Sequence, residues 1–200
     1  MFIVLEGIDG AGISTQARLL VVYLESKGKN VLLTKEPTNN EIGKLIRSAL
    51  RKEWNASLEA LQLLFVADRA QHLFSEILPA LKEGKIVVCD RYFFSTIAYG
   101  MLELKKEWLK QLNERFLKPD ITFILDVPAS VSLERIKRAR EQIELFEEEK
   151  KLTKVRNHFL ELAKEYENCF VIDGTKTIEE VHEEIKKIVN EKLKISNNNQ

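Results

Sequence analysis

Cysteine is scarce in this 200-residue chain, with two in all. Cys89 and Cys169 each lie in an apolar, strand-like run without metal-ligand or redox spacing, which argues against a disulfide scaffold or a zinc module and for buried, reduced packing residues. Net charge is absent as well, because 31 basic residues balance 31 acidic ones. No long-range positive field therefore draws in nucleic acid or an anionic membrane surface, and any phosphate recognition has to be local. No apolar run approaches the roughly 20 residues of a membrane span, and no basic, apolar leader opens the chain. A cytoplasmic protein with neither nucleic-acid nor membrane partners is expected.

What the chain does contain is 44% apolar residues, enough for the core of one domain, here residues 1–194, followed by a polar tail over 195–200 expected to be disordered. Charged residues make up 31%, mostly Lys and Glu, above the roughly 25% of ordinary domains, which suits a heat-adapted protein with surface ion-pair networks.

Five short apolar runs read as strands: 2–5, 31–34, 86–89, 121–125 and 170–172. They do not alternate, as expected where both faces of a parallel sheet are covered. Between them lie helical patterns from Ser14 to the stop at Gly28, from 41 to 50, from the N-cap Ser57 to near Pro79, over 95–101 and 106–116, from Ser130, over 152–166, and over 178–193. Strands alternating with helices predict an α/β protein in three layers, with a five-stranded parallel sheet and right-handed crossovers.

The stretch from Gly7 to Thr15 carries the chemistry. Gly7, Gly12 and Ser14 fit the phosphate-loop pattern of glycine, four residues, glycine, lysine and serine or threonine, and the loop lies between a strand and a helix. Backbone N–H groups over Ile8, Asp9, Gly10, Ala11 and Gly12 can face phosphates, the helix adds its positive end, and Ser14 can ligate Mg2+. The lysine position holds Ile13. Losing one transition-state donor costs about 10² to 10³ in rate, so the pattern argues more strongly for a nucleotide site than for a fast one. An ordinary glycine turn is the plain alternative.

Asp90 closes a strand, where an acid can hold magnesium through water, and Arg91 beside it can clamp a phosphate; a strand-end ion pair would look the same. Phe65 and Arg69 share a helix face, suited to stacking on a base and bonding its edge, or simply to core packing and a solvated cation. His72 reads as structural. Arg135, Arg138 and Arg140 lie before and within a polar stretch over 138–149, either a mobile lid or a solvated charged helix.

Several blocks resemble thymidylate kinases of the P-loop nucleoside monophosphate kinase group, in order along nearly the whole chain. They are Phe2-Ile-Val-Leu-Glu-Gly-Ile-Asp-Gly-Ala-Gly, Lys35-Glu-Pro-Thr, Leu64-Phe-Val-Ala-Asp-Arg-Ala-Gln, Asp90-Arg-Tyr-Phe-Phe-Ser-Thr-Ile-Ala-Tyr, Pro119-Asp-Ile-Thr-Phe-Ile-Leu-Asp-Val and Ile172-Asp-Gly-Thr-Lys. The resemblance implies ATP on the loop, Mg2+ on Ser14 and Asp90, and transfer of the γ-phosphoryl group to the 5′-phosphate of dTMP. It further implies thymine stacked on Phe65 with Arg69 at its edge and Asp9 on the sugar 3′-hydroxyl. Arg91 would take the acceptor phosphate, Glu36 and Ser95 would belong to the acceptor site, and Tyr99 would crowd a ribose 2′-hydroxyl. Arg135 would lie on adenine, with the Asp173 to Lys176 loop completing that pocket. Gly10 belongs to the pattern in which the catalytic arginine comes from the lid, here Arg138 or Arg140, and relatives are commonly homodimers.

Three positions depart from the resemblance: Ile13, Lys35 where many relatives carry arginine, and Gly100 where bacterial relatives often carry glutamine. Ile13 also keeps open the alternative of a catalytically silent nucleotide-binding protein.

Overall fold

A computed structural model describes residues 1–139, 145–146 and 148–194. Its five strands, β1 (Phe2–Gly7), β2 (Val31–Lys35), β3 (Ile86–Asp90), β4 (Ile121–Asp126) and β5 (Cys169–Asp173), form one parallel sheet in the order β2-β3-β1-β4-β5. The helices are α1 (Ile13–Ser26), α2 (Glu41–Leu50), α3 (Leu58–His72), α4 (Leu78–Lys82), α5 (Phe93–Gly100), α6 (Lys106–Asn113), α7 (Ala129–Ala139), α8 (Glu149–Ala163) and α9 (Ile178–Leu193).

The chain steps one way from β1 to β2 and the other way through β3, β4 and β5. Right-handed crossovers then place α1 on one face and α4, α5 and α8 on the other. Packing agrees, since α1 meets α9 and the first three strands, while α5 packs on α8 and β1. Phe2, Ile3, Val4 and Leu5 are at most 1% exposed, because β1 is sandwiched between both helical layers.

The helical pattern expected to run from Ser57 to near Pro79 is broken by a π-helical turn over Leu73–Ile77. Proline lacks an N–H and its ring collides with the carbonyl four residues back, so Pro79 is accommodated by starting α4 afresh with proline in its first turn. Phe74 is left 76% exposed there. Further boundaries differ: α5 starts at Phe93 rather than 95, α6 ends at Asn113 rather than 116, and α8 spans 149–163 rather than 152–166. The expected tail, 195–200, lies outside the described residues. Both cysteines are free, Cys89 in the core and Cys169 partly buried. Among the described residues, no helix is long and apolar enough to cross a membrane.

Register sets up the site. Leu5 pairs with Asp90, Lys35 also pairs with Asp90, and Gly7 pairs with Leu125, so the loop after β1 lies at the carboxyl edge of the sheet beside the ends of β2 and β3. That edge is where open parallel sheets hold ligands.

Candidate active site

Between β1 and α1 the chain turns through Gly10 and Gly12, both left-handed at φ 76° and 95°. A Cβ on Gly10 would stand 2.6 Å from the Ser132 carbonyl oxygen, so α7 packs too closely for any side chain. Ser132 fixes this approach by donating its hydroxyl to the Asp9 carbonyl oxygen. Ile8 and Ala11 are buried beneath the loop, whereas Thr15 is exposed on the first turn of α1. Ile13 is 5% exposed and belongs to the main core, so position 13 is used for packing and brings no charge.

Around Asp9 the side chains close into a ring. Arg91 donates to Asp9 Oδ1 at 2.8 Å, to the Gly7 carbonyl at 2.8 Å and to Ser95 Oγ at 3.0 Å. Tyr99 donates to Asp9 Oδ2 at 2.7 Å and accepts from the Asp9 N–H at 3.1 Å. Burial works against the Arg91 charge, but Asp9 first and then Tyr99, Asp90 and Glu6 more than offset it, holding the guanidinium above its ordinary range. Arg91 sits at φ 71°, a left-handed backbone uncommon outside glycine, which aims its side chain back over the loop.

Behind the ring lies Glu6. The sequence reading ended β1 before this residue; the strand continues through it to Gly7, and Glu6 is 0% exposed. Its Oε1 accepts from the N–H groups of Tyr92 at 2.8 Å and Ser95 at 3.2 Å, and Ser95 Oγ donates to Oε2 at 2.5 Å. Burial pushes its carboxyl up to about 7, against the lowering effects of the Ser95 hydrogen bond and the Arg91 charge. An acid inside an apolar strand, directly before the phosphate loop, is the signal that identifies this residue.

Ser14 donates its hydroxyl to Asp90 Oδ2. One hydroxyl and one carboxylate from different elements make a hard-oxygen donor pair, compatible with Mg2+, which takes few protein ligands and keeps water and phosphate oxygens as the rest. Among the described residues no cluster of three or more His, Cys, Asp or Glu side chains forms a metal cage. Ser14 and Asp90 line a cavity of about 420 Å³, together with Arg18 and Lys35.

Arg69 is 1% exposed, and its guanidinium donates to Glu36 at 2.6 Å, Thr96 at 2.8 Å and Asn113 at 2.5 Å, with the Tyr92 ring 4.9 Å away. Glu36 also faces His72 Nδ1 at 3.1 Å, and Thr34 Oγ1 lies 2.7 Å from His72 Nε2. The histidine read as lacking an orienting partner has one in Glu36, contributed by another element. Phe65 is half-buried against the small cluster of Ile46, Ala49 and Leu61. Sequence reasoning missed Asn113 and also Gln62, a fully buried amide with neither polar atom paired among the described residues. A Cβ on Gly100 would stand 2.7 Å from Leu109 Cδ2 and 3.2 Å from the Gln62 amide carbon, so the glycine leaves room for Leu109 first and then for Gln62.

On the far side of the loop, Arg135 donates to the Gly174 carbonyl at 2.9 Å, which joins α7 to the Asp173 to Lys176 turn. Lys176 pairs with Glu184 at 2.9 Å. Arg138 is exposed, 3.8 Å from Glu134, and Arg140 lies outside the described residues, as do 141–144 and 147 of the expected lid. Phe146, within that lid stretch, packs its ring 5.1 Å from Tyr99, and the Leu145 N–H donates to the Leu50 carbonyl at 3.2 Å.

Residues 5–185 match the family model described as thymidylate kinase. The chain is 45% identical over 198 residues to a probable thymidylate kinase of Pyrococcus horikoshii, covering 96% of this chain and 97% of that protein. It is similarly 45% identical over 195 residues to a thymidylate kinase of Fervidobacterium nodosum, with 95% and 98% covered. A probable thymidylate kinase 1 of Saccharolobus solfataricus is 44% identical over 193 residues, with 96% and 97% covered.

Proposed function

The chain belongs to the thymidylate kinase family, and from that premise we propose that it transfers the γ-phosphoryl group of ATP to the 5′-phosphate of dTMP, giving ADP and dTDP. The observation that carries this reading is the meeting, at one edge of the sheet, of the Asp9–Arg91–Tyr99 ring with the Ser14–Asp90 pair. One is suited to a nucleoside monophosphate and the other to the polyphosphate of a donor.

In this reading the backbone from Gly7 to Ser14 and the N-terminus of α1 cradle the donor phosphates. Arg91 takes the acceptor phosphate, with Ser95 and Glu6 fixing its approach. Asp9 holds the sugar 3′-hydroxyl, and Tyr99 closes against the sugar where a ribose 2′-hydroxyl would stand. Phe65 stacks on thymine, and the Arg69–Glu36 pair sits behind it as a rigid edge. Arg135 and the turn to Lys176 enclose adenine, while Arg138 and Arg140 on a lid over 138–149 bring cations to the transferring group. Ser14 and Asp90 hold Mg2+, which neutralises developing phosphate charge when bound. Most of the chain's own contribution is positioning, since phosphoryl transfer asks for little covalent help.

We further place a second copy of the chain on the exposed apolar side chains of α3, the π turn and the start of α4, where Leu63 is 48% exposed, Phe74 76% and Leu78 39%. Exposed apolar side chains grouped together mark association surfaces.

The test is release of ADP from ATP and magnesium with dTMP, dUMP or UMP as acceptor. Turnover with dTMP well above that with UMP is expected. Nucleotide binding without dTMP-dependent ADP release would instead describe a silent binder.

A further inference from the structure

Residue 13 carries no charge, yet the phosphate-loop pattern requires a cation over the β and γ phosphates. The cations nearest the loop are committed elsewhere. Arg91 is held by Asp9, Gly7 and Ser95, Arg135 by Gly174, and Lys176 by Glu184. Two are not, because Arg18 and Lys35 make no hydrogen bond or ion pair among the described residues. Both line the 420 Å³ cavity that also contains the Ser14 hydroxyl and the Asp90 carboxylate.

Their positions differ. Lys35 ends β2, which β3 separates from the loop-bearing β1, in register with Asp90. Arg18 lies on α1 four residues after Ser14, hence on the same helix face, about one 5.4 Å turn below it. Helical side chains lean towards the N-terminus of their helix. An arginine in the last position of such a pair therefore leans towards the serine, and its fork of donors suits phosphate oxygens. Exposed and unpaired, Arg18 gives up no existing contact on swinging towards the loop.

We propose that Arg18 supplies, at the donor phosphates, the positive charge that position 13 lacks. Resting on the kinase reading above, this makes Arg18 a phosphate-binding catalytic residue of this chain.

The test is a double-mutant cycle on the full chain: the natural protein, Arg18→Met, Ile13→Lys, and both together. In the natural background Arg18→Met is expected to lower kcat/KM for ATP by about 10², the effect of removing one transition-state donor. In the Ile13→Lys background the same change is expected to cost less than about 3-fold, because the loop lysine then covers the phosphates. Equal losses in both backgrounds, or none in the natural one, would overturn the proposal. Binding without turnover is measured alongside, using AMP and a non-hydrolysable ATP analogue with magnesium. Arg18→Met in the natural background should weaken the analogue about 10-fold and leave AMP unchanged. That contrast without dTMP-dependent turnover in any protein would reject the kinase reading and keep the role of Arg18, while turnover without the contrast would do the reverse.

Discussion

Glu6→Gln separates a buried neutral acid from a buried carboxylate. Glu6 is fully buried behind the Arg91 ring, and burial raises its carboxyl from an ordinary 4.5 to about 7. Its three donor contacts and the Arg91 charge act in the opposite direction and lose, because the guanidinium reaches Glu6 only through Ser95. In the unfolded chain the group loses its proton near 4.5, whereas in the native protein it keeps it until about 7. Between those values the native state binds more protons, so this group's contribution to stability falls as pH rises and levels off above 7. At 1.36 kcal/mol per pKa unit, the whole swing is about 3 kcal/mol. Glutamine copies the neutral acid: its carbonyl still accepts from Tyr92 and Ser95, and its amide can donate to the Ser95 hydroxyl. Urea unfolding should therefore find the two proteins within about 1 kcal/mol at pH 5, with the variant the more stable by up to about 3 kcal/mol at pH 8.5. A difference that stays constant across that range would refute a native Glu6 that is neutral below pH 7.

Arg69→Met should destabilise by about 3 to 5 kcal/mol in urea unfolding, since it leaves Glu36 a buried, uncompensated carboxylate; Arg69→Met with Glu36→Gln should recover part of that loss. Gly10→Ala forces a Cβ to 2.6 Å from the Ser132 carbonyl at a positive φ, so it should lower dTMP-dependent kcat at least tenfold through displacement of α7, while KM for dTMP changes less. Phe74→Glu should shift sedimentation from dimer to monomer if a second copy covers α3, and a variant that sediments like the parent would remove that surface from consideration.

The fold was legible because its strands are short apolar blocks punctuated by Gly, Pro and Asp, and the sheet order follows once a phosphate loop and right-handed crossovers are assumed. What escaped reading depended on contacts distant in sequence. Nothing near His72 announces Glu36, because the two are 36 residues apart and meet only when the end of β2 and the residue after it reach His72 at the end of α3. Arg69 looks like a free base-edge donor in sequence, yet Asn113 and Thr96 on two other helices join Glu36 in occupying its guanidinium. The π turn was equally hidden: Pro79 announces a break, but the break falls several residues before it, where the helix gains a residue to clear the ring. Position 13 was legible as an anomaly, and its compensation was not, since Arg18 reads as one more charged residue on an amphipathic helix until the cavity is seen.

Ile13 then has two consequences that a single substitution can pull apart. Its side chain is 5% exposed among core residues, and burying an isoleucine of that kind contributes about 1.5 to 3 kcal/mol. A lysine there would leave the core to reach over the loop, so Ile13→Lys should lower stability by about 2 kcal/mol while raising dTMP-dependent turnover. The size of the rise depends on Arg18. If Arg18 already covers the phosphates, the gain is well below the roughly 10² that restoring a missing donor would give, and it approaches that value only when Arg18 is also removed. A full 10² gain with Arg18 in place would mean that Arg18 does not cover the donor phosphates, and that the apolar residue serves the core at the direct expense of rate.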